Sequence, residues 1–384
     1  MSQRQEMDSS DLSHKLEACP MTRNSRIAQR EQSSTQLDLL PDLLILQQSL
    51  TLESIVSTTS SFGQLVLTAR NQPHLQRINQ IGLGLQGAVF EMVGKPSVIK
   101  KEKPGNEILS SNLRHEYTLH CRVSAAFDRY QIPTNAEVLV PKPLSLVPKE
   151  DDAFWNELLP RLPHEYRDRG DAMILQRILP LPKSTRRALI NSYCSSNMTE
   201  ASKLLAEPEN KHCLARVYLG ENNGTVNRKS PLRNFPLYLD NMRDIGIDTI
   251  RLSSALGNAF AIMHWGAGVN GDDVEFVLGT TAEGPTPVFQ KRAVGLFLLD
   301  LGQCDVVDLA QDREDVYQAF RGAMVTGDNQ SFIPRPTQPA LFAAFKEGYL
   351  ETGNVILVDK GLDSRFDIEE FMQEYEEYAE DFLY

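Results

Sequence analysis

Gly82, Gly84 and Gly87 stand at G-x-G-x-x-G spacing, Val89 follows them, and Lys100 and Lys101 close the stretch I-G-L-G-L-Q-G-A-V-F-E-M-V-G-K-P-S-V-I-K-K. Glycines so spaced let a backbone turn tightly and lie over phosphate oxygens with no Cβ in the way. A lysine on a following strand neutralises phosphate charge, and a glutamate such as Glu116 holds a lysine of this kind in place. Asp300-Leu301-Gly302 comes directly after the apolar run Val294–Leu299. An aspartate there can hold Mg2+ bridging two phosphates. Asp272 and Asp273 lie in the glycine-broken loop after His264 and are candidates for a base or a second metal ligand. The chemistry these residue types share is the binding of phosphate and its transfer.

Elements must position such groups, and their type separates the alternatives. Dinucleotide binding needs a helix immediately after the glycines. Here β-branched and aromatic residues, a Gly94-Lys95-Pro96 turn and Ser97-Val98-Ile99 follow, which predicts strand, loop and strand. Taken alone, the stretch also reads as an ordinary hairpin with glycines at its bends. The V-I-K register favours Lys100 over Lys101 as the inward lysine. Residues 106–127 predict a helix of several turns that carries Glu116, either facing Lys100 or as one solvated charge of many. Val138–Leu144 and Ala172–Ile178 predict two further strands around an acidic, proline-containing insertion at about 149–171. Gln176 to Leu179 would present backbone groups to a purine. The strongly apolar run from Arg251 to His264 predicts a buried helix that delivers the loop.

Composition bounds the function. The formal net charge of −12 over 384 residues argues against direct nucleic-acid binding, which needs clustered Lys and Arg. No run of apolar residues is long enough to span a membrane, and no signal-peptide core is visible at the N-terminus. Cys19, Cys121, Cys194, Cys213 and Cys304 are scattered without a C-x-x-C pair, so neither a zinc site nor a disulfide framework is expected. A cytoplasmic setting follows, with the nucleus as a second compartment.

In their order along the chain, the G-x-G-x-x-G-x-V element, the strand lysine, the helical glutamate, the His-led loop and D-L-G resemble a protein kinase-like fold. The resemblance is nearer to small-molecule phosphotransferases of the aminoglycoside and choline type than to standard protein kinases. Met263-His264-Trp265, Asp273 to Gly279 and Leu299 to Cys304 resemble, more specifically, a fungal family of unknown function whose members carry the label "zinc finger protein". That resemblance covers roughly residues 75–360 and implies a fold, with no established activity to transfer. The fold class implied is α+β and two-lobed, with a small antiparallel β lobe and a larger, mostly helical lobe. ATP and Mg2+ are the cofactors it implies, with Gly82, Gly84, Gly87, Val89, Lys100, Glu116 and Gln176 on the nucleotide and Asp273 and Asp300 on the metal.

The loop departs from the kinase pattern. Kinases carry an aspartate base two residues after the loop histidine, and that position is Gly266 here. Aligning Asp273 with the metal-binding Asn moves the base position to Gly268, again no carboxylate. Two readings survive: a pseudokinase-type interaction module with weak or no nucleotide binding, and an ATP- and Mg2+-dependent small-molecule phosphotransferase using Asp272 or Asp273. A transcription-related role of the zinc-finger-labelled kind is a third. The partner is accordingly a protein or a small-molecule substrate.

The domain organisation expected is a disordered tail at 1–35, a helical extension at 36–73, a small lobe at 74–182, a large lobe at 183–366 and a terminal helix at 367–384. The extension is read as one helix from Leu37 to Val56, with Pro41 near its first turn. In the terminal helix, Phe371, Tyr375, Tyr378 and Phe382 share one face among Glu and Asp residues. They pack on the large lobe or meet a basic partner. Pro334 to Pro339 forms a proline-rich loop.

Overall fold

The computed structural model describes residues 30–57, 78–84, 86–103, 113–222, 224, 232–282 and 291–383. In chain order they form β1 (Arg30–Ser33), α1 (Asp42–Ser49), β2 (Ser54–Ser57), β3 (Ile78–Leu83), β4 (Gly87–Met92) and β5 (Ser97–Glu102). Next come α2 (Leu113–Tyr130), β6 (Val138–Leu139), β7 (Pro143–Val147), α3 (Asp152–Leu158), β8 (Ala172–Gln176), α4 (Lys183–Leu189) and α5 (Met198–Ala206). Then follow β9 (Leu214–Tyr218), β10 (Asn234–Tyr238), α6 (Leu239–Ile245), α7 (Thr249–Ala261), β11 (Glu275–Ala282) and β12 (Lys291–Leu299). The last helices are α8 (Arg313–Met324), α9 (Pro339–Lys360) and α10 (Ile368–Phe382).

The chain divides into two units. Described residues 78–117 and 142–177 form the smaller one, and 30–57, 118–141 and 178–383 the larger.

The smaller unit is a five-stranded sheet in the order β3-β4-β5-β8-β7, antiparallel throughout. Strand alternation gives it two distinct faces. Ala88, Phe90, Ile99, Ala172 and Ile174 point to one face and pack with Phe154, Trp155, Leu158, Leu162 and Tyr166. The apolar cover therefore comes from the segment that the sequence shows as an acidic insertion. Asp151 starts α3 by accepting the Phe154 N–H at 3.0 Å, as a helix N-cap does. The Trp155 indole N–H donates to the Pro148 carbonyl at 3.0 Å, which satisfies its one polar group in the core.

The larger unit combines most of the helices with a seven-stranded mixed sheet in the order β1-β2-β12-β11-β9-β10, with β6 on β12. β11 and β12 form its long hairpin, from Glu275 opposite Leu299 to Ala282 opposite Arg292. The N-terminal segment differs from the single helix expected. Helix α1 ends at Ser49, and Ile55 and Val56 pair with Ala293 and Arg292 of β12. The β-branched pair gains more from pairing on both sides in the sheet and from burial in the core than a helical turn would offer. α7 and α9 lie so close that a Cβ at Gly257 would overlap the Phe345 carbonyl, and one at Gly348 the Ser254 carbonyl. In α10, Phe371 and Tyr375 enter the core, Tyr378 is half-buried and Phe382 is exposed.

The α+β architecture with a small antiparallel β unit and a larger, mostly helical unit is the one expected, although the larger unit also holds a seven-stranded sheet. Among the described residues no helix is long and apolar enough to cross a membrane.

Candidate functional site

In the smaller unit the glycine-rich stretch is the β3–β4 hairpin. The Gly84 N–H donates to the Gly87 carbonyl at 2.9 Å, and the register slips by one residue between Gln80 and Gly82. Gly87 is fixed by crowding: a Cβ there would stand 2.6 Å from the Lys101 carbonyl oxygen. Gly82 sits opposite Val89, Val89 opposite Lys100, and Lys100 opposite Met173. These residues make one cross-strand row on the face away from Trp155. Gly82, Val89 and Lys100 are brought together in that row.

The two lysines diverge because they are adjacent on a strand. Lys100 Nζ lies 2.6 Å from Glu116 Oε1, with Lys100 7% and Glu116 2% exposed. Such burial makes the pair a fixed feature rather than a surface contact, since neither charge can be left unmatched. Lys101 lies on the opposite face, over the Trp155 ring at 5.7 Å and donating to the Glu102 carbonyl at 3.2 Å. Burial lowers its pKa against the pull of nearby carboxylates. Sequence reading did not anticipate a second buried pair, Arg177 with Glu91, to which Asn79 also donates at 3.1 Å.

The segment expected to present backbone groups to a purine already uses several of them. The N–H of Gln176 goes to the Lys142 carbonyl at 2.8 Å, that of Arg177 to Pro96 at 2.9 Å, and that of Leu179 to Thr280 at 2.9 Å. The Gln176 side chain accepts from the Lys142 N–H at 3.2 Å.

In the larger unit α7 runs into a π-helical turn, Ile262–Ala267, that carries His264. His264 is completely buried and stacks on Phe320 at 4.2 Å. Its Nε2 meets the Asn270 carbonyl at 3.0 Å and its Nδ1 the Tyr349 hydroxyl at 2.7 Å. A carbonyl only accepts, so Nε2 carries the proton and Nδ1 accepts from Tyr349. Burial pushes the imidazole pKa down to about 3, with the Asn270 carbonyl opposing. His264 is a neutral strut.

The loop beyond it is stitched from several sides. Lys360 Nζ donates to the Trp265 and Gly266 carbonyls, each at 2.6 Å, and Arg122 to that of Ala267. Gly268 has φ +61°, its N–H returns to His264, and its carbonyl accepts the Val307 N–H at 2.9 Å. The Asn270 side chain accepts the Asp305 N–H at 2.8 Å.

Asp272 accepts from the Thr326 hydroxyl at 2.6 Å, and burial raises its pKa while that bond opposes the shift. Asp273 Oδ1 accepts the Asp328 N–H at 2.7 Å, and Oδ2 accepts from the Gln303 amide. Asp273 and Asp300 both have left-handed backbones, φ +52° and +61°, a conformation uncommon outside glycine that Asp tolerates better than most.

Both aspartates act electrostatically on Glu275, whose pKa burial pushes up to about 7 against the nearby Arg216. Arg216 on β9 donates to Glu275, to Asp328 Oδ2 at 3.0 Å and to the Tyr218 hydroxyl at 2.9 Å. Asp273 and Asp300 thus lie on either side of Glu275, the first two residues before it and the second next to Leu299, its partner across the β11–β12 pair. Sequence reading missed Arg216 and Glu275. Each is a lone charge inside an apolar strand, L-A-R-V-Y and V-E-F-V-L, and that complementarity is the signal it held. Among the described residues no group of three or more His, Cys, Asp or Glu side chains is arranged to hold a metal ion.

No protein-family model matches the sequence, and no curated protein matches it at a significant level. Among solved structures, the chain is similar to the Rio2 kinase of Chaetomium thermophilum in its ADP/Mg2+-phosphoaspartate complex. Identity is 12%, coverage is 85% of this chain and 81% of that chain, and the TM-score is 0.25. What the chain shares with kinases is a local arrangement in the smaller unit. The glycine hairpin leads to a third strand whose lysine pairs with a helical glutamate, the arrangement by which kinases hold nucleotide phosphates.

Proposed function

We propose that the protein is a kinase-shaped interaction or regulatory module of the pseudokinase kind, which binds nucleotide weakly or not at all and acts through a protein partner. The state of the loop after His264 carries this reading. Both positions open to a catalytic base are glycines. Gly266 packs against Tyr130 and Gly268 is held in a left-handed turn, so the loop has no side chain there. The carboxylates that follow have structural work: Asp272 holds Thr326, and both oxygens of Asp273 are hydrogen-bonded. A general base must reach the nucleophile's proton, and side chains so engaged are poorly placed to do it.

The test is phosphoryl transfer itself. Purified protein is incubated with ATP and a panel of small hydroxyl and amine acceptors, beside Lys100→Ala. The expected result is ATP consumption equal in both proteins. Consumption that depends on an acceptor and is lost in Lys100→Ala overturns the reading.

The second reading, a small-molecule phosphotransferase, draws support from the Lys100–Glu116 ion pair, which is formed and buried. Kinases need that pair in place for transfer. Positioning alone retains part of such chemistry when a base is absent, so the same assay decides between the two.

A further inference from the structure

The kinase-like fold implies Mg2+ at Asp273 and Asp300, and the residues present do not fit that ion. Mg2+ requires oxygen ligands in near-ideal octahedral geometry, usually one or two carboxylates with several waters. Both oxygens of Asp273 accept from neighbouring N–H groups, the Asp328 amide at 2.7 Å and the Gln303 side chain. Of the other carboxylates nearby, Glu275 and Asp328 are both engaged by one side chain, Arg216.

Arg216 reaches them by a definite geometry. Val277 lies opposite Arg216 across the β9–β11 pair, so Glu275 is its diagonal neighbour on the same face. One terminal nitrogen of the guanidinium meets Glu275, and the other meets Asp328 and the Tyr218 hydroxyl. The side chain is only 18% exposed. An arginine stays charged at any physiological pH, and its planar fork serves two carboxylates at once. A permanent cation inside an acidic cluster does two things that a bound metal would do. It offsets the mutual repulsion of the carboxylates, and it repels any further cation that approaches.

We infer that Arg216 is the resident cation of this cluster and excludes a divalent ion from it. The inference rests on reading Asp273 and Asp300 as the kinase-type metal positions, and it is tested without nucleotide. Failure of nucleotide binding therefore leaves its outcome untouched.

Mn2+ alone, whose paramagnetism reports binding directly, is titrated into wild type, Arg216→Met and Arg216→Met/Asp300→Asn. Cooperative melting of each variant is recorded first. The expected result is no saturable Mn2+ binding in wild type. Arg216→Met gains saturable binding, because removing the cation leaves the carboxylates uncompensated, and the double variant loses that gain. Saturable binding in wild type that Asp300→Asn abolishes overturns the inference, as does a folded Arg216→Met with no gain. Should Arg216→Met fail to fold, wild type beside Asp300→Asn decides alone by the same criterion.

Discussion

Removing Glu116 takes away the carboxylate that stands 2.6 Å from the buried Lys100 ammonium. Breaking a buried pair from one side costs about 3–5 kcal/mol, whereas replacing both partners by apolar groups is often close to neutral. Glu116→Ala is therefore expected to lose at least about 3 kcal/mol in urea unfolding, and Lys100→Met/Glu116→Leu to recover most of it. Equal losses in the single and double variants would mean that the charge pairing is not what holds these side chains. His264 gives a pH signature. Its folded pKa lies near 3, below the ordinary 6.5. Below 6.5 the unfolded chain takes up a proton that the folded chain refuses until about pH 3. Stability should then fall with acid through that window, at a slope approaching 1.4 kcal/mol per pH unit. His264→Gln should be less stable at neutral pH yet show a shallower acid slope, and urea unfolding between pH 7 and 4 reads both. An unchanged slope would place the acid sensitivity elsewhere.

At the scale of elements, α7 and α9 are expected to fail together. A Cβ at Gly257 would meet the Phe345 carbonyl, a backbone atom that cannot swing aside. Overpacking a core typically costs about 1–3 kcal/mol, and backbone contact places Gly257→Ala at or above the upper end. Thermal melting checks this, and a loss below about 0.5 kcal/mol, the range of neutral surface changes, would contradict the close crossing. Sequence pattern made the buried helix from Arg251 to His264 visible, because its small and apolar residues are local information. The glycine hairpin, the lysine strand and the helix bearing Glu116 were visible for the same reason. β9 and β10 were not. Both strands of the parallel pair are short, and the other partner of β9 is β11, far along the chain. The insertion at 149–171 showed its charge more plainly than the Phe154 and Trp155 that it buries. At the site, strand alternation puts Lys100 beside Glu116 and Lys101 over Trp155, and both are buried, on opposite faces. The Arg216 network escaped notice because it joins β9, β11 and the loop at Asp328, which nothing in the local sequence connects.

Across the whole molecule, the segment before the smaller unit shows why long-range pairing is the hardest thing to read. Glu31 pairs with Lys291 at 2.8 Å, and Ile55 with Ala293 of the same distant strand. Residues 30–57 thus complete the sheet and core of the larger unit, with Ile45, Leu46, Leu50 and Leu52 all buried. The whole chain carries kinase-like parts in kinase order while its loop lacks a carboxylate at either base position. Function then turns on whether the parts still hold nucleotide. A thermal-shift titration with ATP, with and without Mg2+, on wild type, Lys100→Ala and Asp300→Ala tests that most directly, since a ligand bound to the native state raises its melting temperature by mass action. The account predicts at most a small shift in wild type, unchanged by Mg2+. A large, Mg2+-dependent shift that both variants abolish would contradict it.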